Sequence, residues 1–241
     1  LGISDVYASP VFRAKKHSTH GYDVTDHNQL NPELGASEQF DQLAREVNAH
    51  RMGWLQDIVP NHMAFDSDNA MLMDVLENGP GSAYYEFFDI AWQCPWPELK
   101  GKVLTPFLGQ PLSQAIENNR LRVGYDSKGL HVSYYENRFP LNLFSYRQIF
   151  EAEEAEGKVP QLITPILKEI SGICVNSSGG FDSGSTRKSK GRLWRVYKDN
   201  ESARAFMDRC LEEFNSRLCD HLPDLLEKQF YKLAYWKEAN R

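Results

Sequence analysis

Two short strings in the first 65 residues hold the side chains best suited to handling a polar ligand. Asp57-Ile58-Val59-Pro60-Asn61-His62 places a carboxylate, an amide and an imidazole within one turn of chain. Met52 to Val59 reads as an apolar strand stopped by Pro60, so Asp57 sits near its end and Asn61 and His62 lie just past it. An imidazole there can donate a hydrogen bond to a ligand hydroxyl. The amide or carboxylate can brace a neighbour or help bind a cation. A lone histidine at a strand end is nevertheless more often structural, and this string by itself leaves both roles open.

The second string is Ser18-Thr19-His20-Gly21-Tyr22-Asp23-Val24-Thr25-Asp26. Gly21 permits a tight path. Tyr22 can offer a ring face to the apolar C–H face of a sugar, and Asp23 and Asp26 can accept hydrogen bonds from hydroxyls. A plain turn is an equal reading, because Asp, Gly and Thr are turn formers.

Other chemistries fit less well. His17 and His20 lie three apart with no helix and no third ligand, so no metal site is expected. Cys94, Cys174, Cys210 and Cys219 make no Cys-x-x-Cys pair, which points to a reducing compartment rather than a disulfide framework. No Gly-x-Ser-x-Gly, phosphate loop or dinucleotide fingerprint occurs, and no cofactor is expected.

The elements that must position the two strings can be read around them. Ile3 to Pro10 reads as a strand and Arg13 to about Gly35 as a polar loop. Ser37 is a suitable N-cap, with Glu38 in the first turn. Phe40, Leu43, Ala44 and Val47 recur at helical spacing, and Asp41 can pair with Arg45. Strand, helix and strand make a βαβ unit with parallel strands. In such folds sites form at the carboxyl ends of strands, where both strings would meet.

After about Phe65 the texture changes. Residues 66–147 read as a β-rich insertion. Within it, Leu112 to Asn119 can form a short helix, and alternating Leu121, Val123, Tyr125 and Leu130, Val132, Tyr134 form a hairpin around Asp126-Ser127-Lys128-Gly129. Residues 148–241 read as helical, with a mobile Gly/Ser-rich loop at about 176–191. Ala203 to Leu218 and Leu222 to Leu233 mark two amphipathic helices.

A net charge of -6 argues against a nucleic-acid partner. Arg187, Lys188, Lys190 and Arg192 read as part of a solvated loop. No apolar run approaches the ~20 residues that span a bilayer, so no membrane partner is expected, and no signal peptide is visible. The chain opens on Leu1 rather than Met and looks cut at its start.

Together the strings carry a family resemblance. Asp57 to His62 resembles the Asp-x-Val-x-Asn-His region at the third barrel strand of the α-amylase superfamily, and His20-Gly21-Tyr22-Asp23 resembles the loop after the second barrel strand. Ser18 to Val24, Asn31-Pro32-Glu33-Leu34-Gly35, Tyr134-Tyr135-Glu136-Asn137-Arg138-Phe139-Pro140-Leu141, Leu193-Trp194-Arg195 and Lys232-Leu233-Ala234-Tyr235-Trp236 are similar, in that order, to the maltooligosyl trehalose synthase family.

That resemblance implies part of a (β/α)8 barrel over 1–65, an inserted domain B over 66–147 and a helical extension. It implies a cytoplasmic enzyme that turns the reducing-end α-1,4 linkage of a maltooligosaccharide into an α,α-1,1 linkage by the two-carboxylate retaining mechanism. His62 would hydrogen-bond the sugar and Tyr22 would stack on it. Asp57 would brace an arginine beside the nucleophile. Asn61 would hold the place that binds calcium in many amylases, though no calcium is expected. His20, Asp23 and Arg138 would be pocket residues. The family's nucleophile and acid/base come from later strands, so none of the catalytic residues is expected here. Asp66, Asp68 and the run Glu151 to Glu156 are poor substitutes. A hydrolase of α-1,4-glucans and a non-catalytic glucan-binding protein remain the alternatives.

Overall fold

The structure is a computed structural model that describes residues 2–150, 159–176 and 179–239. The acidic run Glu151 to Glu156 lies outside the described residues. The chain divides into two compact units, Leu1–Ala70 and Met71–Arg241.

The first unit is built on strands β1 (Asp5–Ala8) and β4 (Gly53–Gln56), which pair in parallel from Asp5 opposite Gly53 to Ala8 opposite Gln56. Helix α1 (Ser37–Ala49) connects them, completing the expected βαβ unit. Its N-cap is Ala36 rather than Ser37. Gly35, at φ +142°, makes the entry turn. Alanine offers no capping oxygen, but the Gln39 side chain reaches back to accept the Ala36 N–H at 2.8 Å. Phe40 and Trp54 meet in a T-shaped contact with centroids 6.0 Å apart, holding the helix on β4.

The expected polar loop from Arg13 to Gly35 is largely a ribbon. Strand β2 (Phe12–Ala14) pairs antiparallel with β3 (Val24–Leu30), with Arg13 opposite Asp26 and Ala14 opposite Val24. The reason is burial at one end: Val24 and Thr25 are fully covered, and the Thr25 hydroxyl donates to the Arg13 carbonyl at 3.2 Å. The polar run Asp26-His27-Asn28-Gln29 hides this strand from a pattern reading.

In the second unit, β5 (Val103–Leu108) pairs in parallel with β9 (Tyr231–Tyr235). Strands β6 (Leu121–Asp126), β7 (Gly129–Tyr134) and β8 (Asn137–Pro140) form an antiparallel meander whose first turn is the expected hairpin. Helices α2 (Ala70–Asn78), α3 (Leu112–Glu117), α4 (Leu143–Phe150), α5 (Thr164–Asn176), α7 (Glu201–Ser216) and α8 (Leu218–Glu227) surround a core that includes Phe139, Tyr146, Phe150 and Leu222. The second amphipathic stripe is split. Its helix ends at Glu227, and Leu233 belongs to β9, because alternate residues Tyr231 and Leu233 are buried in strand fashion.

The expected loop at about 176–191 is mostly helix. Helix α6 runs from Ser183 to Asp199, capped by Asp182, whose carboxylate accepts the Ser185 N–H at 2.7 Å. Ser183, Thr186, Ser189 and Leu193 form its buried face. Small polar side chains allow close packing, and the same composition mimics a linker. The basic run is correspondingly not all solvated: Lys190 bonds both oxygens of buried Glu77 at 2.6 and 2.7 Å, and Arg192 pairs with Glu169. The architecture is mixed α/β, and no closed barrel occurs among the described residues.

Candidate functional site

The site begins where β4 ends. Asp57 donates its N–H to the Ala8 carbonyl at 2.9 Å, the last rung joining β4 to β1, and its side chain projects from the carboxyl end of the pair. Two hydroxyls converge on one of its oxygens: Tyr22 Oη donates to Asp57 Oδ2 at 2.6 Å and Tyr7 Oη donates to the same atom at 2.7 Å. Tyr7 comes from β1 and Tyr22 from the connection between β2 and β3, so three separate segments meet on one carboxylate.

The electrostatics follow from that arrangement. The hydrogen bonds from Tyr22 and then Tyr7 hold the Asp57 carboxyl below its ordinary range. The bond to Asp57, with some burial, pushes the Tyr22 phenol up to about 12, and the same bond raises that of Tyr7. At neutral pH the trio is therefore one carboxylate and two neutral phenols. A carboxylate held this way is a weak base, suited to orienting groups rather than to moving protons.

Local geometry aims Tyr22. Gly21 has φ +78°, and a Cβ there would lie 2.6 Å from the Pro10 carbonyl oxygen. Only glycine lets the loop cross so close to Pro10. The Gly21 N–H bonds the Ser18 hydroxyl at 3.1 Å, Ser18 donates to Asp23, and His20 Nδ1 accepts the Tyr22 N–H at 3.0 Å. The Tyr22 side of the loop is thus held by its own polar residues. Asp26 accepts the Asn28 N–H at 2.8 Å, a turn contact. Tyr22 keeps 39% of its surface exposed, leaving ring available to a ligand.

Asn61 and His62 are exposed and touch each other, with His62 Nδ1 and Asn61 Oδ1 3.1 Å apart. Their loop is tied to β3 on both sides: His27 Nε2 lies 3.1 Å from the Val59 carbonyl oxygen, and the Ala64 N–H donates to the Val24 carbonyl at 2.8 Å. Both strings thus hang from the ribbon formed by β2 and β3. Arg138 lies in the second unit on β8, where it pairs with Asp126 and contacts His131.

Two features were not foreseen. Tyr7 was unmarked in the sequence, although a parallel register of β1 and β4 puts the chain two residues before Ser9-Pro10 beside Asp57. The double phenol contact on Asp57 is the other, and it stands beside the arginine-bracing role that the resemblance implied for this carboxylate. Among the described residues no group of three or more His, Cys, Asp or Glu side chains could hold a metal ion. No described helix is long and apolar enough to cross a membrane.

Residues 1–114 match the family described as alpha amylase, catalytic domain. Over those residues the chain resembles the α-amylase family. It is 40% identical over 129 residues to a putative maltooligosyl trehalose synthase of Mycobacterium tuberculosis, a match covering 52% of this chain and 16% of that protein. A cyclomaltodextrinase of Thermoanaerobacter pseudethanolicus is 33% identical over 97 residues, covering 40% and 16%. A crystal structure of a maltooligosyl trehalose synthase superposes on 98% of this chain and 22% of its own length, at 26% identity and a TM-score of 0.61. That of a hypothetical maltooligosyl trehalose synthase of Sulfolobus tokodaii does so over 98% and 21%, at 28% identity and a TM-score of 0.56. The chain therefore spans about a sixth to a fifth of the relatives it matches, and the solved maltooligosyl trehalose synthase structures superpose on residues of both units.

Proposed function

We propose that this chain is the part of a maltooligosyl trehalose synthase that cradles the glucosyl ring next to the bond being broken. The observation that carries the reading is the convergence of Tyr7 and Tyr22 on Asp57 at the carboxyl ends of parallel strands. It sets two rings with uncharged phenols on the carboxylate from which the chain runs into the exposed Asn61-His62 loop, a combination suited to a neutral sugar. In this reading Tyr22 stacks beneath the ring, His62 donates to a ring hydroxyl, His20 and Asp23 shape the pocket wall, and Asn61 and Asp57 act through their neighbours. Arg138 contributes to a pocket only if its bond to Asp126 is released.

The reaction is intramolecular transglycosylation. A carboxylate attacks the anomeric carbon of the penultimate unit and the reducing-end glucose leaves as a second carboxyl gives it a proton. That glucose turns over and attacks the same carbon through its own anomeric hydroxyl, whose proton returns to the second carboxylate, so the glycosyl–enzyme bond breaks as the α,α-1,1 bond forms. Water must stay out for rearrangement to win over hydrolysis. The nucleophile and acid/base are supplied by other residues of the enzyme, so the 241-residue chain by itself leaves maltodextrins unchanged. The enzyme works in the cytoplasm on maltooligosaccharides, with residues 66–147 serving as domain B.

The test is to incubate the full protein that carries this chain with maltopentaose. Loss of reducing ends without release of glucose supports the reading. Gain of reducing ends makes the enzyme a hydrolase of the same family, and binding without turnover makes it a glucan-binding protein.

A further inference from the structure

We infer a second carbohydrate-binding cleft, at the β7–β8 turn, that takes a glucosyl unit of an α-1,4-glucan through Tyr135; its ligand class rests on the function proposed above. The turn residues are Tyr135 and Glu136, between paired Tyr134 and Asn137. Tyr135 has φ +52°, a conformation that two-residue hairpins normally give to glycine or asparagine. A tyrosine there stores backbone strain. Its ring does not recover that strain by burial, because 63% of the residue is exposed. A strained, exposed aromatic is accounted for by something that binds to it.

The surroundings say what kind of ligand. Tyr135 borders a cleft of 380 Å³ with Phe107, Gly109, Gln110, Tyr134, Glu136 and Asn137, within the size range of small-ligand sites. The ring is held in place: Tyr134 meets it edge to face at 4.8 Å, and the Arg120 guanidinium lies 5.9 Å from its centre. The Tyr134 hydroxyl accepts the Gly109 N–H at 2.9 Å, which pins the chain after β5 to the hairpin and leaves the phenol proton to donate. The side chains of Glu136 and Asn137 have no partner among the described residues. A ring face beside a carboxylate, an amide and a phenol suits a neutral, hydroxyl-rich ring. The free carboxylate disfavours phosphates, and the open polar lining disfavours lipids.

The probe is β-cyclodextrin, a cyclic α-1,4-glucan with no reducing end to rearrange. Calorimetric titration of the full protein is expected to show binding that weakens about tenfold in Tyr135→Gly, the loss of one aromatic stacking partner. Asn137→Ala should weaken it less. Because glycine relieves the positive φ, Tyr135→Gly should at the same time raise the Tm. No binding by the native protein, equal binding by native and variant, or a lower Tm with unchanged affinity would each overturn the inference. Failure of the underlying reading shows separately, as neither binding nor conversion of maltopentaose.

Discussion

Tyr22 and Asp57 lie 35 residues apart in sequence and 2.6 Å apart in space, phenol oxygen to carboxylate oxygen. That contact joins the loop carrying the candidate stacking ring to the strand end carrying the acidic string. Removing either half separates orientation from contact. In the full protein, Tyr22→Phe keeps the ring and loses the tether, and kcat/KM should fall by about tenfold, whereas Tyr22→Ala loses both and should cost about a hundredfold, the scale of a misplaced substrate. Initial rates on maltopentaose check this; equal losses in the two variants would mean the ring makes no contact of its own.

The same trio has a signature in alkali. Tyr22 loses its proton at about 12, above an ordinary tyrosine. A phenol pKa raised by folding stabilises the fold below its unfolded value and loses that contribution as pH rises through the folded value. Asp57 is lowered, so its contribution is present above the ordinary carboxylate range and fades as acid is added. Ultraviolet titration of tyrosinate should show a late component that moves to lower pH in Asp57→Asn. An unchanged late component would place the shift elsewhere.

Gly21→Ala would put a methyl 2.6 Å from the Pro10 carbonyl oxygen at a positive φ. The expected cost is about 1–3 kcal/mol of stability, with a further loss of activity because Tyr22 is the next residue. Thermal melts and rates on the one variant report the two effects separately.

In the second unit, Glu77 is buried and its carboxyl is pushed up by that burial, against the pull of Lys190. Lys190→Met should destabilise by about 3–5 kcal/mol by stranding the carboxylate. The variant should then gain stability as pH falls, since a raised carboxyl pKa favours the fold only once the group is protonated. A double change, Glu77→Leu with Lys190→Met, should recover much of the loss. Denaturant unfolding at two pH values decides it.

Much of this was legible from residue order. The alternation of Leu121, Val123 and Tyr125 and the tetrad Asp126 to Gly129 foretold the β6–β7 hairpin, since a two-residue turn leaves only one register. The spacing of Phe40, Leu43 and Val47 foretold α1. Helix α6 was not legible, because Ser, Gly and Lys serve equally in a linker and on a closely packed helix face; burial decides between them. Strand β9 was misread as helix because its apolar residues continue the stripe of α8, and only pairing with β5 reveals it.

Residue types and their local spacing determined the βαβ unit, the acidic string ending in Asn61-His62 and the loop that needs Gly21. Those depend on short-range sterics and on the alternation of apolar side chains. The partners of Asp57 were decided only by the tertiary structure, because the parallel register of β1 on β4 and the fold-back of the β2–β3 ribbon bring Tyr7 and Tyr22 to one oxygen. Contacts between residues so far apart in the chain follow from packing, and no local pattern encodes them.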